Sequence, residues 1–397
     1  MFHFLTKKSL ILTLGVLTSS VAFADSPGVY TDRIVVGQSA AFDGPAQALG
    51  LGMRAGLQAA FHEINEAGGV HGRKIELITL DDGYEPERAI ANARQLINED
   101  KVFSLIGAVG TPTSKAALPV ANSAGIPFFG PFTGAGFLRD PSNVNVVNVR
   151  GTYDQETEAW IHHLTEDLGL KKIAILYQDD SFGRVGLAGV QKALEKRGLE
   201  LAAEGIYTRN SVAVKSALLK IRKSKPEAVV MVGSYKPIAA FVKLARKLRL
   251  KSEFVTISFV GSKALAAELG AAGEGVVVTQ VVPFYEDKSL PIVKSYHKAL
   301  KSTDSSAEPG FVSLEGYVVG KLFIAALEKL GKNVTHEALI GQFQNAAVEF
   351  DLNGMALSFG PGDNQGMDKV YLSVLQKDGS FVYVDHLGNK IETAESD

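Results

Sequence analysis

Thr111 and Thr113 stand in one short polar loop, Gly107 to Thr113, and Phe132, Thr133 and Gly134 in another, Gly130 to Ala135. The second loop follows the apolar run Ile126-Pro127-Phe128-Phe129, which reads as a buried strand. Loops of this make-up at the carboxyl ends of strands offer backbone N–H groups and hydroxyls, and in open α/β sheets ligands sit at that end. Neutral donors near helix N-termini hold an anion without burying a counter-charge. Neither loop carries a nucleophile, a metal ligand or a general base, so the chemistry on offer is that of holding a small molecule. Thr113 has a second reading, as the cap of a helix over Ser114 to Ser123.

The elements that would position these loops follow a strand–helix rhythm. Strands are expected at 33–38, 74–81, 103–107, 126–129, 144–149, 172–177, 228–232, 253–258 and 275–282. Met53, Leu57, Ala60, Phe61 and Ile64 recur at helical spacing between the first two, and Gly68-Gly69 stops that helix. Thr157 to Leu168 and Leu187 to Arg197 carry further helical patterns. Such alternation predicts parallel sheets covered by helices on both faces, an α/β class. The sheet is built twice, once up to Val149 and again from Lys172, while Leu290 to Gln344 is helical and returns to the first unit. Hairpin-like strands at 369–376 and 381–385 should close the second unit, and Ser302 to Pro309 reads as an exposed loop.

The first residues have the form of an export leader. Lys7 and Lys8 precede an apolar core, Ser9 to Leu17, and Ala22-Phe23-Ala24 offers a small-x-small cleavage site. The core is shorter than the ~20 residues that span a bilayer. Removing residues 1–24 leaves 373 of the 397 residues, enough for two lobes. It also leaves 39 basic against 43 acidic side chains, a net charge of −4, which argues against nucleic acid or an anionic membrane as the main partner. With no cysteine, disulfides and thiolate metal sites are excluded.

Asn65-Glu66-Ala67-Gly68-Gly69-Val70-His71-Gly72-Arg73-Lys74-Ile75-Glu76-Leu77 resembles the second-strand signature of type 1 periplasmic solute-binding proteins, closest to the leucine/isoleucine/valine-binding family of ABC importers. Asp81-Asp82-Gly83-Tyr84 with Pro86, the loop after Gly107, Gly130 to Ala135, Gln178 to Gly183 and Gly273-x-Gly275-Val276 follow in family order along the whole mature chain. The resemblance implies two Rossmann-like lobes joined by three crossover strands, with the ligand cleft between them and hinge closure on the ligand. The expected boundaries are 1–24 for the signal peptide, 25–149 plus 283–352 for lobe 1, and 150–282 plus 353–397 for lobe 2, with crossovers near Val149, Val282 and Asn353. It further implies a periplasmic, non-enzymatic monomer without a cofactor, handing a small-molecule ligand to a membrane permease.

The family grips a ligand carboxylate with two loops of one lobe, here Gly110, Thr111 and Thr113 with Phe132, Thr133 and Gly134. Amino-acid binders of the family set an acid from the other lobe against the ligand ammonium. That position aligns with Ile257 to Gly261, most closely Ser258, where there is no acid. Asp154 and Asp180 are possible substitutes, or solvated and capping acids. Gly134 replaces a family hydroxyl, and Leu49 stands where an aromatic often shapes the pocket. Ala41, Phe42, Tyr84, Tyr153, Phe182, Tyr235 and Phe259 lie on or near the cleft loops, as pocket wall or as lobe packing. Together they favour a bulky apolar or aromatic ligand, carboxylate-bearing or lipidic, with leucine, isoleucine and valine as the alternative.

Other signals point elsewhere. His162-His163 are adjacent and make no helical metal motif; Asp81-Asp82 reads as a turn; no phosphate loop is present. Lys243 to Lys251 forms a basic helix end, a solvated face or a permease contact. A ligand-presenting sensor remains the competing role for the same fold.

Overall fold

The computed structural model describes residues 26–388, so the leader and its cleavage site lie outside the described residues. The branched run of β1 (Arg33–Ala40) is buried almost throughout, as a central strand should be. It is followed by α1 (Gln47–Glu66), β2 (Lys74–Asp81), α2 (Pro86–Asn98), β3 (Ser104–Ile106), α3 (Thr111–Ala124), β4 (Phe128–Phe129) and β5 (Val146–Val147). All pair in parallel in the order β2-β1-β3-β4-β5. α1 buries Met53, Leu57, Ala60 and Phe61, the stripe expected from their spacing.

The second sheet begins after α4 (Tyr153–His162), which starts earlier than its apolar pattern suggested. Thr152 and Gln155 form a capping box there, and the helix runs on into a π-helical turn, His163–Asp167. Next come β6 (Ile173–Gln178), α5 (Ser181–Glu195), β7 (Ala203–Tyr207), α6 (Lys215–Lys223), β8 (Ala228–Val232), α7 (Tyr235–Lys247), β9 (Glu253–Thr256), α8 (Ser262–Leu269) and β10 (Val277–Gln280). The chain then returns through α9 (Pro291–Thr303), α10 (Phe311–Leu330) and α11 (His336–Gln344), with α9 and α10 against α1. A ribbon, β11 (Val348–Asp351) and β12 (Ala356–Phe359), stacks Phe350 on Phe343 of α11 and sets Phe359 edge-on to the same ring. Finally β13 (Tyr371–Leu375) and β14 (Phe381–Val384) add antiparallel strands beside β10, as expected, giving the order β14-β13-β10-β9-β8-β6-β7.

The chain therefore folds into two parallel-sheet α/β lobes. It crosses between them after β5, after β10, and before β13. Asn353 lies at the tip of the β11–β12 ribbon, held against the first lobe through Phe343 and Phe129. The third passage comes later, where Asn148 N–H donates to the Asn364 carbonyl at 2.8 Å and Gly366 N–H donates back to Asn148 at 2.9 Å. Two crossovers thus run side by side.

Candidate functional site

The two threonine loops meet. Phe132 N–H donates to the Ala108 carbonyl at 2.7 Å and Gly110 N–H to the Phe132 carbonyl at 3.2 Å, extending the β3–β4 pairing into the loops. Thr111 and Thr133, both fully buried, share a hydroxyl–hydroxyl bond of 2.7 Å. Thr113 Oγ1 donates to the Val109 carbonyl at 2.5 Å and lies 3.1 Å from that of Gly110, so it is engaged within the first turn of α3; the helix begins at Thr111 with Gly110 as its N-cap, and Thr113 is not the cap. Gly110 has φ +102°, and a Cβ there would stand 2.2 Å from the Tyr84 ring, so both the conformation and the contact require glycine. At Gly134 a Cβ would lie 2.7 Å from Tyr153 N; Tyr153 fills the space of the family's missing side chain.

Aromatic rings close the gap between lobes. Phe132 of the first lobe lies 5.3 Å from Phe259 of the second, and Tyr84 lies 6.0 Å from the same ring. Phe182 stands 4.7 Å from Phe259 and 5.4 Å from Tyr153. All five side chains are buried, Phe132 being 1 % exposed and the others 0 %. Tyr235 reaches across as well, its hydroxyl 3.5 Å from Ala48 N of α1.

Arg150 lies at the centre of this cluster, on the crossover that follows β5, with 0 % of its side chain exposed. Its guanidinium carbon sits 4.8 Å from the Phe132 ring centre and 5.8 Å from that of Tyr153. Nη2 is 3.4 Å from Glu156 Oε1 and also donates to Ser258 Oγ; Nε is 3.7 Å from Glu315 Oε1, too long for a hydrogen bond. Nη1 and Nε have no hydrogen-bond partner among the described residues. Burial opposes the Arg150 charge, yet Glu315 and Glu156 outweigh it and hold the group above its ordinary pKa.

Residues 257–261 carry no acid, but one reaches Ser258 from a different element. Glu156 of α4 accepts from Ser258 N–H at 2.9 Å, from Ser258 Oγ at 2.8 Å and from the Thr279 hydroxyl. With Arg150 Nη2 these donors occupy both carboxylate oxygens, so Glu156 is spent on the protein itself. The second acid, Glu315 of α10, belongs to the opposite lobe. Burial raises its pKa to about 7, with Arg150 opposing the shift and Glu156 adding to it. Arg150 thus faces carboxyl groups from both lobes at once.

Behind the cluster, Arg139 donates to the carbonyls of Thr133 (3.0 Å), Ala135 (3.2 Å) and Arg150 (2.7 Å), fixing the Gly-Pro loop to the crossover. Burial, and then the neighbouring Arg150 charge, lower its pKa to about 9. At the rim Arg209 reaches from the second lobe to Glu85 of the first at 2.7 Å, and also to Asp180 at 3.1 Å. Asn210 adds a 3.0 Å bond to the Gly83 carbonyl.

Two expected contacts lie apart from the cluster. Asp154 turns outward to Lys192 at 3.0 Å with 51 % of its side chain exposed, because position 154 falls on the opposite face of α4 from Glu156 and Trp160. Phe42 is half-buried beneath the Arg54 guanidinium at 4.4 Å. Ala41 is buried against α1, and Asp180 caps α5 through Phe182 N–H at 2.9 Å. The Asp81-Asp82 turn shapes the Tyr84 loop: Asp82 accepts from Tyr84 N–H at 2.8 Å, and burial raises its pKa to about 6.

Arg150, Glu156 and Glu315 were not singled out by the sequence reading. The available signal was spacing: Tyr153, Glu156, Thr157 and Trp160 share one helical face, and Glu315 is the lone acid in the apolar first half of α10.

Comparison with known proteins agrees with the fold. Residues 33–380 match the family model described as periplasmic binding protein. The chain is 25 % identical over 373 residues to Leu/Ile/Val-binding protein homolog 7 of Brucella melitensis, covering 88 % of this chain and 91 % of that one. It superposes on the structure of a "possible leucine/isoleucine/valine-binding protein" from Rhodopirellula baltica with a TM-score of 0.83 and 35 % identity, over 88 % of this chain and 95 % of the other. A solute-binding protein from R. palustris in complex with benzoate shares the fold, with a TM-score of 0.78 and 22 % identity over 89 % and 95 % of the two chains. The chain belongs to the periplasmic binding protein family, with the type 1 two-lobed fold.

Proposed function

We propose that this protein is the solute receptor of an ABC importer for a carboxylate with a bulky apolar or aromatic body. The observation that carries the reading is Arg150: a fully buried guanidinium, set against Phe132 and Tyr153, with two nitrogens lacking hydrogen-bond partners among the described residues. A buried donor of that kind is costly until an acceptor meets it, and a carboxylate is the acceptor that matches its fork. The Thr111 and Thr133 hydroxyls add neutral donors, and the rings of Tyr84, Phe132, Phe182 and Phe259 supply the apolar wall. Because those rings touch across the lobes, entry requires the hinge to open, and the ligand favours closure through contacts with both lobes.

A second reading, a branched-chain amino acid, draws support from Glu315 as a partner for an ammonium group and from the names of the relatives. A thermal-shift panel separates the two. Aryl and alkyl carboxylic acids should raise the melting temperature, and their methyl esters should not. A response to leucine, isoleucine and valine alone would replace the first reading by the second. The partner permease and the monomeric state belong to this proposal; recovery of the bound compound chemically unchanged is its expected signature.

A further inference from the structure

We propose that His163, Asp167 and His386 form a binding site for one divalent transition-metal ion of the zinc type, remote from the solute cleft. His163 and Asp167 lie four residues apart on the π-helical turn that extends α4, an irregularity frequent at functional sites. His386 arrives from the segment after β14. One potential ligand atom from each of the three lies within 4.8 Å of the others. Asp167 Oδ2 is 2.7 Å from His163 Nδ1, and Asp167 Oδ1 is 3.6 Å from His386 Nδ1. Around a tetrahedral ion with bonds of about 2.0–2.1 Å, ligand atoms stand about 3.3 Å apart. The two observed separations, each to a different Asp167 oxygen, fall on either side of that value and the two imidazole ligand atoms lie within 4.8 Å of each other, so side-chain rotation brings the three donors onto one ion.

The donor set decides the class of metal. Two imidazoles and one carboxylate suit zinc and its neighbours rather than calcium or magnesium, which take oxygen ligands, and a fourth position is left for water. The carboxylate is held from behind, since Leu387 N–H donates to Asp167 Oδ2 at 2.7 Å. The site is also separate from the solute. It begins at the far end of α4 from Tyr153, some 10 residues or roughly 15 Å along the helix. A bound ion would tie the residues after β14 to α4 and leave the cleft untouched.

The test uses the full mature protein, without a histidine tag and stripped with chelator, titrated with zinc chloride in a calorimeter. One equivalent should bind, and His386→Ala should weaken it roughly 10–100-fold. His386 is 65 % exposed, so its replacement spares the fold; an unchanged melting temperature without zinc checks this. Zinc should also slow hydrogen exchange across residues 381–387 in the wild type and not in the variant. Absence of saturable binding up to about 1 mM, weaker than about −4 kcal/mol, would overturn the proposal. So would equal affinity and stoichiometry in His386→Ala.

Discussion

Glu315→Gln should make the protein more stable at alkaline pH, even though it removes a charge that faces an arginine. The Glu315 carboxyl is buried, and its pKa stands at about 7 against an ordinary value of 4.5. The folded chain therefore keeps a proton that the unfolded chain releases above the ordinary value. Stability from this group is fully present below about pH 4.5 and is lost as pH rises through about 7. A shift of that size corresponds to ~3 kcal/mol at pH 8, with the attraction to Arg150 3.7 Å away already included. Glutamine keeps the shape and cannot ionise. In urea unfolding, the variant should match the wild type near pH 5 and exceed it by up to ~3 kcal/mol near pH 8. Asp82, raised to about 6, leaves a residual slope of the same sign in both proteins. An equal loss at both pH values, or a larger loss at pH 8, would refute the reasoning and make Glu315 the ionised partner that Arg150 depends on.

Three further outcomes follow from the lobe contacts. Phe259→Ala, which removes the ring shared by Phe132, Phe182 and Tyr84, should cost about 3–5 kcal/mol in unfolding and increase the radius of gyration by solution scattering as the lobes part. Arg209→Ala cuts the half-exposed rim latch to Glu85; it should change closure by no more than about 1 kcal/mol, seen as a few-fold faster solute release in stopped-flow traces. Asp154→Ala should leave solute affinity unchanged in calorimetry, since that side chain faces Lys192.

The fold was legible where a single periodicity held. β2 and β8 occupy the expected residues because each is bounded by polar turns, and the terminal hairpin was placed correctly on the second sheet. β7 (Ala203–Tyr207) escaped because an edge strand with half its residues solvated carries little apolar signal. The β11–β12 ribbon escaped for the same reason, and so the third crossover was placed at Asn353 instead of beyond residue 364. In the site, the Thr111 and Thr133 loops were legible because glycine and threonine at strand ends mean backbone donors. The charged cluster was not: Glu315 lies far along the chain from Arg150 and Glu156, and each of the three resembles an ordinary surface charge until the crossover and two helices bring them together. Glu156, which reaches Ser258 from α4, was missed through the same blindness.

The central claim is that the cleft binds a carboxylate by Arg150 and an apolar wall, without requiring an ammonium group. Leucine and 4-methylpentanoate share a carboxylate and an apolar body and differ only in that ammonium, so calorimetric titration of both at pH 6.5 tests it most directly. 4-Methylpentanoate should bind saturably and no more weakly than leucine, and Arg150→Met should abolish this binding. Leucine binding roughly 100-fold tighter, a difference of about 2.7 kcal/mol, would contradict it and assign the site to a zwitterion.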